Sequence, residues 1–168
     1  RKLKIGFNPR LHTKKSLKIL FNKSKCQLIS INENFIDKYL INNKKINLNN
    51  FYVLPKKAYG QSYKTKTSKL IKILKKIKAD MQFISSGENI AWLLNMRGKD
   101  SEFSPTINCY LIIDIKRKKN LLFCNLKKIN KSIKTKLKYV EFRHISLIDE
   151  YFSSLQNKKI LIDEISCS

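Results

Sequence analysis

Apolar and charged side chains alternate at residues 2–7, and a period of two is typical of a β-strand. Thr13 then precedes apolar residues that recur at three- and four-residue spacing from Leu17 to Phe21, which predicts a helix capped by Thr13. Residues 26–30 follow as a second short strand. The chain therefore begins with a predicted β-α-β arrangement.

A second run of alternating elements begins near residue 60. Ser62 or Thr65 can cap a helix that reaches about residue 78, because an apolar stripe of helical spacing runs along it and lysines occupy its other face. The other predicted helices lie at 34–41, 86–94, 130–137 and 146–155, and the other strands at 81–85, 106–114, 121–123, 139–142 and 159–163. The strands at 106–114 and 121–123 form a hairpin. This order predicts an α/β layered domain, with a mixed sheet and helices on both of its faces.

The charge of the chain suggests nucleic acid as a partner, but its composition offers another explanation. Lys and Arg number 36 against 12 Asp and Glu, for a net charge of +24. Lys, Ile and Asn together make up 70 of the 168 residues, and all three have A/T-rich codons. Arg, which reads bases and phosphates with its planar fork, occurs only five times. We therefore favour codon bias over a nucleic-acid surface.

The cysteines and the apolar runs indicate the cellular setting. Cys26, Cys109, Cys124 and Cys167 lack C-x-x-C spacing, so reduced and mostly buried thiols are expected, although a bridge between Cys109 and Cys124 is geometrically conceivable. No apolar run approaches the roughly 20 residues of a membrane helix. We expect a cytoplasmic protein with no membrane partner and, because residue 1 is Arg, a piece of a longer chain.

One segment differs in composition from the Lys-rich remainder of the chain. The sequence contains no complete catalytic motif. Residues 88–100 hold the only Trp, one of the five Arg and one of the four Gly. An Arg retained where Lys is favoured suggests a need for planar, bidentate geometry. The alternative is that Trp92 belongs to the core and that Arg97 pairs with Asp100 to brace its loop.

Four motifs give the chain a family resemblance. Residues 90–100, followed by Pro105 and Tyr110, closely resemble the IAWLLNxRGxD…P…Y signature of three-domain Xaa-Pro aminopeptidases, in the creatinase/prolidase superfamily. Residues 5–13 are similar to the GxDPxLHT segment of that family, and residues 34–37 to its NxxD. Residues 59–66 are similar to its YxGxS…K helix start. Asn8, Gly87 and Cys109 depart from the family pattern.

The resemblance implies a fold, domain limits and a position within a longer enzyme. Residues 1–45 would be the C-terminal part of a first creatinase-type N-terminal domain, 46–57 a linker, and 58–168 a second such domain. Both domains would be three-layer α/β structures with a ribonuclease-H-like mixed sheet. The catalytic domain, with two divalent metal ions (Mn or Zn) held by two Asp, one His and two Glu, would follow residue 168. No catalytic residue, metal ligand or cofactor is expected within this chain.

The function implied is that of a non-catalytic region of a metal-dependent Xaa-Pro aminopeptidase, a hydrolase that removes residues preceding proline. It would serve substrate access, domain packing and oligomer contacts, with the downstream catalytic domain, a homodimer partner and the peptide substrate as partners. The alternatives are a basic nucleic-acid-binding module, whose lysines would converge with Tyr59, Tyr63 or Tyr139 in one stripe, and a protein-interaction module of an inactive relative.

The resemblance also selects site residues. Arg97 and Asp100 are the substrate-access candidates. The resemblance implies that the loop of Arg97 lies near the catalytic cleft, Arg is scarce in this chain, and Gly98 lets the backbone turn sharply after it. We therefore expect Arg97 to project towards the active site of the parent enzyme, its own or that of a neighbouring subunit. Trp92 is expected to be buried on a helix beside Ile90, Leu93 and Leu94. The residues of the signature with structural roles are Trp92, Asn95, Gly98, Pro105 and Tyr110.

Overall fold

The computed structural model describes residues 3–33, 39, 49–117 and 119–167, and the chain divides into two compact units. The first comprises residues 1–46 with 163–168, and the second residues 47–162. The helix predicted at 34–41 falls outside the described residues apart from residue 39. No helix in the described part of the chain is long and apolar enough to cross a membrane.

The described part of the first unit contains a parallel strand pair and the helix that connects its two strands. Strands β1 (Lys4–Phe7) and β2 (Gln27–Ser30) pair in parallel, and helix α1 (Lys14–Phe21) lies between them in sequence. The Thr13 hydroxyl accepts a hydrogen bond from the backbone N–H of Ser16 at 2.9 Å, which confirms the predicted cap. The β-α-β beginning is therefore confirmed.

The second unit is built on a mixed sheet. Its strands are β3 (Tyr52–Val53), β4 (Met81–Ile84), β5 (Met96–Arg97), β6 (Cys109–Asp114), β7 (Asn120–Cys124), β8 (Val140–His144) and β9 (Ile160–Leu161). Five of them form the sheet in the order β8-β7-β6-β4-β9, and β3 pairs with β5 separately. The β4–β6 and β6–β7 pairs are antiparallel, whereas β7–β8 and β4–β9 are parallel. The β6–β7 pair confirms the predicted hairpin.

Four helices cover this sheet, and three begin at a capping side chain. They are α2 (Tyr63–Lys76), α3 (Gly87–Leu94), α4 (Lys131–Lys136) and α5 (Ile148–Ser153). The side chains of Ser62, Ser86 and Asn130 accept backbone N–H bonds at the starts of α2, α3 and α4. These bonds satisfy donors that the first turn of a helix leaves unpaired, which is why the helices begin there.

The two faces of the sheet carry separate apolar clusters. Leu111 of β6 belongs to a cluster with Leu74 of α2 and Ile90 of α3, and its neighbour Ile112 to a cluster with Tyr151 of α5. Successive strand residues point to opposite faces, so helices lie on both sides of the sheet. The expected three-layer α/β fold with a mixed sheet is confirmed.

The segment predicted as a linker differs in the structure. Phe51 is 1% exposed, and Tyr52 pairs with Arg97 where β3 meets β5. The backbone N–H of Phe51 also donates to the carbonyl of Lys128 at 3.0 Å. Residues 49–57 therefore belong to the second unit. Contacts with residues distant in sequence hold this segment in place, although it has no hydrophobic periodicity that would predict an element.

Candidate functional site

Two of the recognised motifs meet where α2 begins and α3 ends. The ammonium of Lys66, on α2, donates hydrogen bonds to the backbone carbonyl of Trp92 and to Asn95 Oδ1, the latter at 2.6 Å. Asn95 Nδ2 donates to the carbonyl of Gln61 at 3.0 Å. Asn95 sits at the end of α3 with a left-handed φ of 54°, a conformation that asparagine adopts more readily than most residues. Lys66 and Asn95 thus lock the two helices together.

The environment of Lys66 lowers the pKa of its ammonium. Lys66 is only 7% exposed, and burial penalises its charged form. The positive charge of Arg97 acts in the same direction. The ammonium lies 4.2 Å from the ring centroid of Trp92, whose negative π-face supplies a cation–π attraction.

Trp92 is not a core residue, and the expectation of burial is wrong. Its side chain is 62% exposed, whereas Ile90, Leu93 and Leu94 are buried. Trp92 lies two residues after Ile90 and two before Leu94, so in a helix of 3.6 residues per turn its side chain is about 160–200° around the axis from theirs. It therefore points away from the apolar stripe. The indole instead lies over Lys66, at the surface.

Arg97 and Asp100 do not form the brace considered as an alternative. Arg97 is half-buried, and its Nη1 donates to the carbonyls of Ala91 at 2.9 Å and Met96 at 2.7 Å. The carboxylate of Asp100 instead pairs with the ammonium of Lys128 and accepts the backbone N–H of Asn108 at 2.7 Å. Asp100 therefore closes the loop that follows β5, while Arg97 holds the end of α3.

Close backbone packing explains the glycines of this region. A Cβ on Gly98 would lie 2.8 Å from the carbonyl oxygen of Thr106 and 2.9 Å from Phe51. One on Gly87 would lie 2.3 Å from the carbonyl oxygen of Ile107. No glycine among the described residues has a positive φ, so the role that the structure gives Gly98 is close approach of the backbone to its neighbours.

The other signature residues fall on different sides of the sheet. The carbonyl of Pro105 accepts the N–H of Gly98 at 3.2 Å and so helps to fold the loop back. Tyr110 packs on the opposite face, 5.6 Å between ring centroids from Phe83, away from the α3 side. The structure therefore brings together Trp92, Asn95, Arg97 and Gly98, but not Tyr110.

Sequence reasoning missed the two lysines that bind the signature residues. Lys66 was noted only as part of a helix start, and Lys128 was not singled out. Each is 7% exposed, whereas most of the other described lysines are exposed, and residue type alone does not distinguish the two groups. The helical position of Lys66 beside Tyr63 and Leu70 was a usable signal, whereas Lys128 is positioned only by long-range contacts.

A groove lies beside this cluster, between α2 and the end of α3. We call it the Trp92 groove; its volume is about 730 Å³, and it is lined by Leu54, Ala58, Tyr59, Gly60, Gln61, Lys66, Lys69, Leu70, Ile73, Trp92, Leu93, Asn95 and Arg97. Three of these residues are cations and none is Asp or Glu. The groove combines an exposed indole with positive charge.

Two features of the described residues concern metal binding and base stacking. No group of three or more His, Cys, Asp or Glu that could hold a metal ion lies together in this part of the chain. Tyr63 is 8% exposed, and its hydroxyl accepts the N–H of Tyr139 at 3.4 Å. Tyr63 is thus a core residue and cannot stack on bases with Tyr59 and Tyr139.

Cys109 and Cys124 are thiols that form no disulfide with each other. Cys109 and Cys124 face each other across β6 and β7, and both are buried. Burial raises the pKa of Cys124 to about 12 and places that of Cys109 well above its usual range. The expected reduced, buried thiols are confirmed at these two positions.

Comparison with known proteins identifies the family to which this chain belongs. Residues 42–168 match the family model described as the creatinase/prolidase N-terminal domain. The chain belongs to this family. Both the creatinase/prolidase match and the second compact unit begin before residue 58, where the second domain was expected to start.

Relatives of this creatinase/prolidase chain are Xaa-Pro aminopeptidases. Xaa-Pro aminopeptidase 1 of Dictyostelium discoideum is 31% identical over 95% of this chain and 27% of its own length. Xaa-Pro aminopeptidase ApepP of Drosophila melanogaster is 30% identical over 65% of this chain and 18% of its own. The chain thus spans about a quarter or less of the relatives it matches.

A solved structure supports the creatinase/prolidase fold. The crystal structure of X-prolyl aminopeptidase from Caenorhabditis elegans, described as a cytosolic enzyme with a di-nuclear active site, superimposes with a TM-score of 0.76. It is 23% identical, and the match covers 91% of this chain and 25% of that one. The likeness confirms the expected fold.

Proposed function

We propose that the chain is the non-catalytic N-terminal region of a metal-dependent Xaa-Pro aminopeptidase, which removes N-terminal residues that precede proline. The observation that carries this is the match of residues 42–168 to an N-terminal domain, together with an aminopeptidase relative that aligns over 95% of this chain but only 27% of its own length. The catalytic domain, with two metal ions, would be the downstream remainder of the polypeptide. A cytoplasmic location accords with the C. elegans enzyme, which is described as cytosolic.

Within this proposal, the loop after α3 serves substrate access and domain packing. Asp100 stays a substrate-access candidate beside Arg97, and its contacts with Lys128 and Asn108 fix the loop that carries it. Arg97 lines the Trp92 groove and is the residue able to bind a carboxylate or backbone carbonyl of a peptide, or to pair with an acidic residue at the domain interface. A homodimer partner, at a surface left open, belongs to the same proposal.

The test is a peptidase assay on the complete natural polypeptide. We expect it to cleave the first bond of Arg-Pro-Pro in the presence of Mn²⁺, to lose this activity in EDTA, and to leave Arg-Ala-Pro uncut. Residues 1–168 alone should give no turnover. A complete polypeptide without turnover in Mn²⁺ or Zn²⁺ would instead make the chain an interaction module of an inactive relative.

A further inference from the structure

Among the described residues, the cations of the Trp92 groove have neutral partners only. Lys66 is bound by a backbone carbonyl and the Asn95 amide, and Lys69 donates to Gln61 Oε1 at 3.2 Å. Arg97 is bound by two backbone carbonyls. No carboxylate among the described residues pairs with any of the three, and repulsion from Arg97 contributes to the lowered pKa of Lys66. An anion brought to the groove would relieve this repulsion.

Arg97 presents a fixed but incomplete set of hydrogen bonds. Its Nη1 is held by the carbonyls of Ala91 and Met96, so the orientation of the guanidinium plane is set. Its Nε and Nη2 have no acceptor in the part of the chain that the structure describes. Neither atom is among the buried atoms without a partner. This edge of a guanidinium carries two parallel N–H donors, which match a carboxylate in bidentate fashion.

An apolar surface adjoins these charges. The Trp92 indole is 62% exposed, and Ile73 and Ile77, one turn apart at the end of α2, are 54% and 51% exposed. Trp and Arg are the residue types most often found as energetic centres of protein interfaces. Exposed apolar residues grouped beside such centres mark an interaction surface rather than ordinary solvent-facing helix.

We propose that the Trp92 groove is the docking site for an acidic segment of the catalytic portion of the same polypeptide. One carboxylate of that segment binds the free edge of Arg97 with Lys69 nearby, and a bulky apolar side chain packs on Trp92 and Ile73. The identity of the occupant rests on the proposed function. Because this chain covers only 27% of the Dictyostelium relative, most of such a polypeptide lies outside it, and covalent linkage gives that part a high effective concentration at the groove.

Hydroxyl-radical footprinting of the complete natural polypeptide tests this docking. Side chains buried at the centre of an interface are fully desolvated, so we expect Trp92 to be oxidised at about one-tenth of the rate found for Arg97→Gln polypeptide. Tyr139, 49% exposed in the same unit, serves as the internal reference. Arg117→Gln, which removes one Arg on the opposite face near Tyr151, is the matched control and should leave Trp92 protected.

Each other outcome contradicts the docking. Oxidation of Trp92 at a rate comparable to Tyr139 would show an open groove, and protection that survives Arg97→Gln would show that no carboxylate is bound there. Protection lost on dilution would make the occupant a second copy. Cleavage of Arg-Pro-Pro by the same preparation separates the two proposals, since turnover with an exposed Trp92 overturns only the docking, and protection without turnover overturns only the proposed function.

Discussion

Lys66 is buried without a carboxylate partner among the described residues, because oxygens at the end of α3 receive its ammonium. The carbonyl end of a helix carries partial negative charge, which favours a cation at that position. The bonds to Trp92 and Asn95 and the overlying indole offset part of the cost of burial. This one side chain therefore connects two sequence motifs 26 to 29 residues apart.

Replacing Lys66 by Met tests this connection. Met keeps the length and the apolar stem but leaves Asn95 Oδ1 and the Trp92 carbonyl without their donor, so we expect the free energy of unfolding to fall by about 1–3 kcal/mol. Urea unfolding followed by Trp92 fluorescence reports on the second unit specifically, because Trp92 is the only Trp.

Lys72→Met is the matched control for that substitution. Lys72 is exposed on the same helix, so its replacement should change the free energy of unfolding by no more than about 0.5 kcal/mol. Equal effects of the two substitutions would show that the ammonium of Lys66 contributes nothing specific.

The four cysteines should differ sharply in reactivity. Thiolate is the nucleophile, and burial keeps Cys109 and Cys124 in the thiol form at neutral pH. N-ethylmaleimide at pH 7.5, read by peptide mass spectrometry, should label the partly exposed Cys26 and spare both of them until denaturant is added. Native labelling of Cys124 at the rate of Cys26 would show that β7 opens readily.

At the scale of elements, the sequence predicted the features that depend on neighbouring residues, such as helix caps and hairpin strands. Thr13 was identified as a helix cap and Ser62 as one of two candidates beside Thr65, and the hairpin strands followed from apolar runs around a basic turn. The two-residue strands β3 and β5 were missed, whereas the equally short β9 was predicted because it lies in the apolar run at 160–162. Trp92 was misplaced because its apolar character suggested burial, whereas its angular position on α3 excluded it from the core.

Gly98 provides the sharpest test of packing between these elements. Gly98→Ala would force a methyl group against Thr106, Ile107 and Phe51, so we expect a loss of about 1–3 kcal/mol in urea unfolding. Gly60→Ala is the matched control, because a Cβ there meets no atom within 4 Å. A stable Gly98→Ala protein would mean that β3 and the loop at 105–107 can move apart.

At the scale of the whole molecule, the sequence motifs indicated the protein family, whereas the amino-acid composition suggested a different kind of partner. The net charge of +24 suggested nucleic acid, yet Tyr63 of the expected stacking stripe is buried and residues 42–168 match the creatinase/prolidase N-terminal domain. Burial of the linker segment around Phe51 and the Lys128–Asp100 pair could not be predicted, since both depend on contacts between distant residues. The role of Arg97 in substrate access stays a prediction.

The most direct measurement of the central claim is kcat/KM for Arg-Pro-Pro in the complete polypeptide carrying Arg97→Ala, with its Tm measured on the same sample. Hydrogen bonds to charged groups contribute roughly 1.5–3 kcal/mol, so kcat/KM should fall about ten- to a hundredfold at a temperature where the variant is folded. Arg97→Lys should recover part of the loss, because a point charge cannot reproduce the fork. Arg117→Ala should retain full activity. A lowered Tm for Arg97→Ala with kcat/KM unchanged would contradict the account and leave Arg97 as a brace for the end of α3.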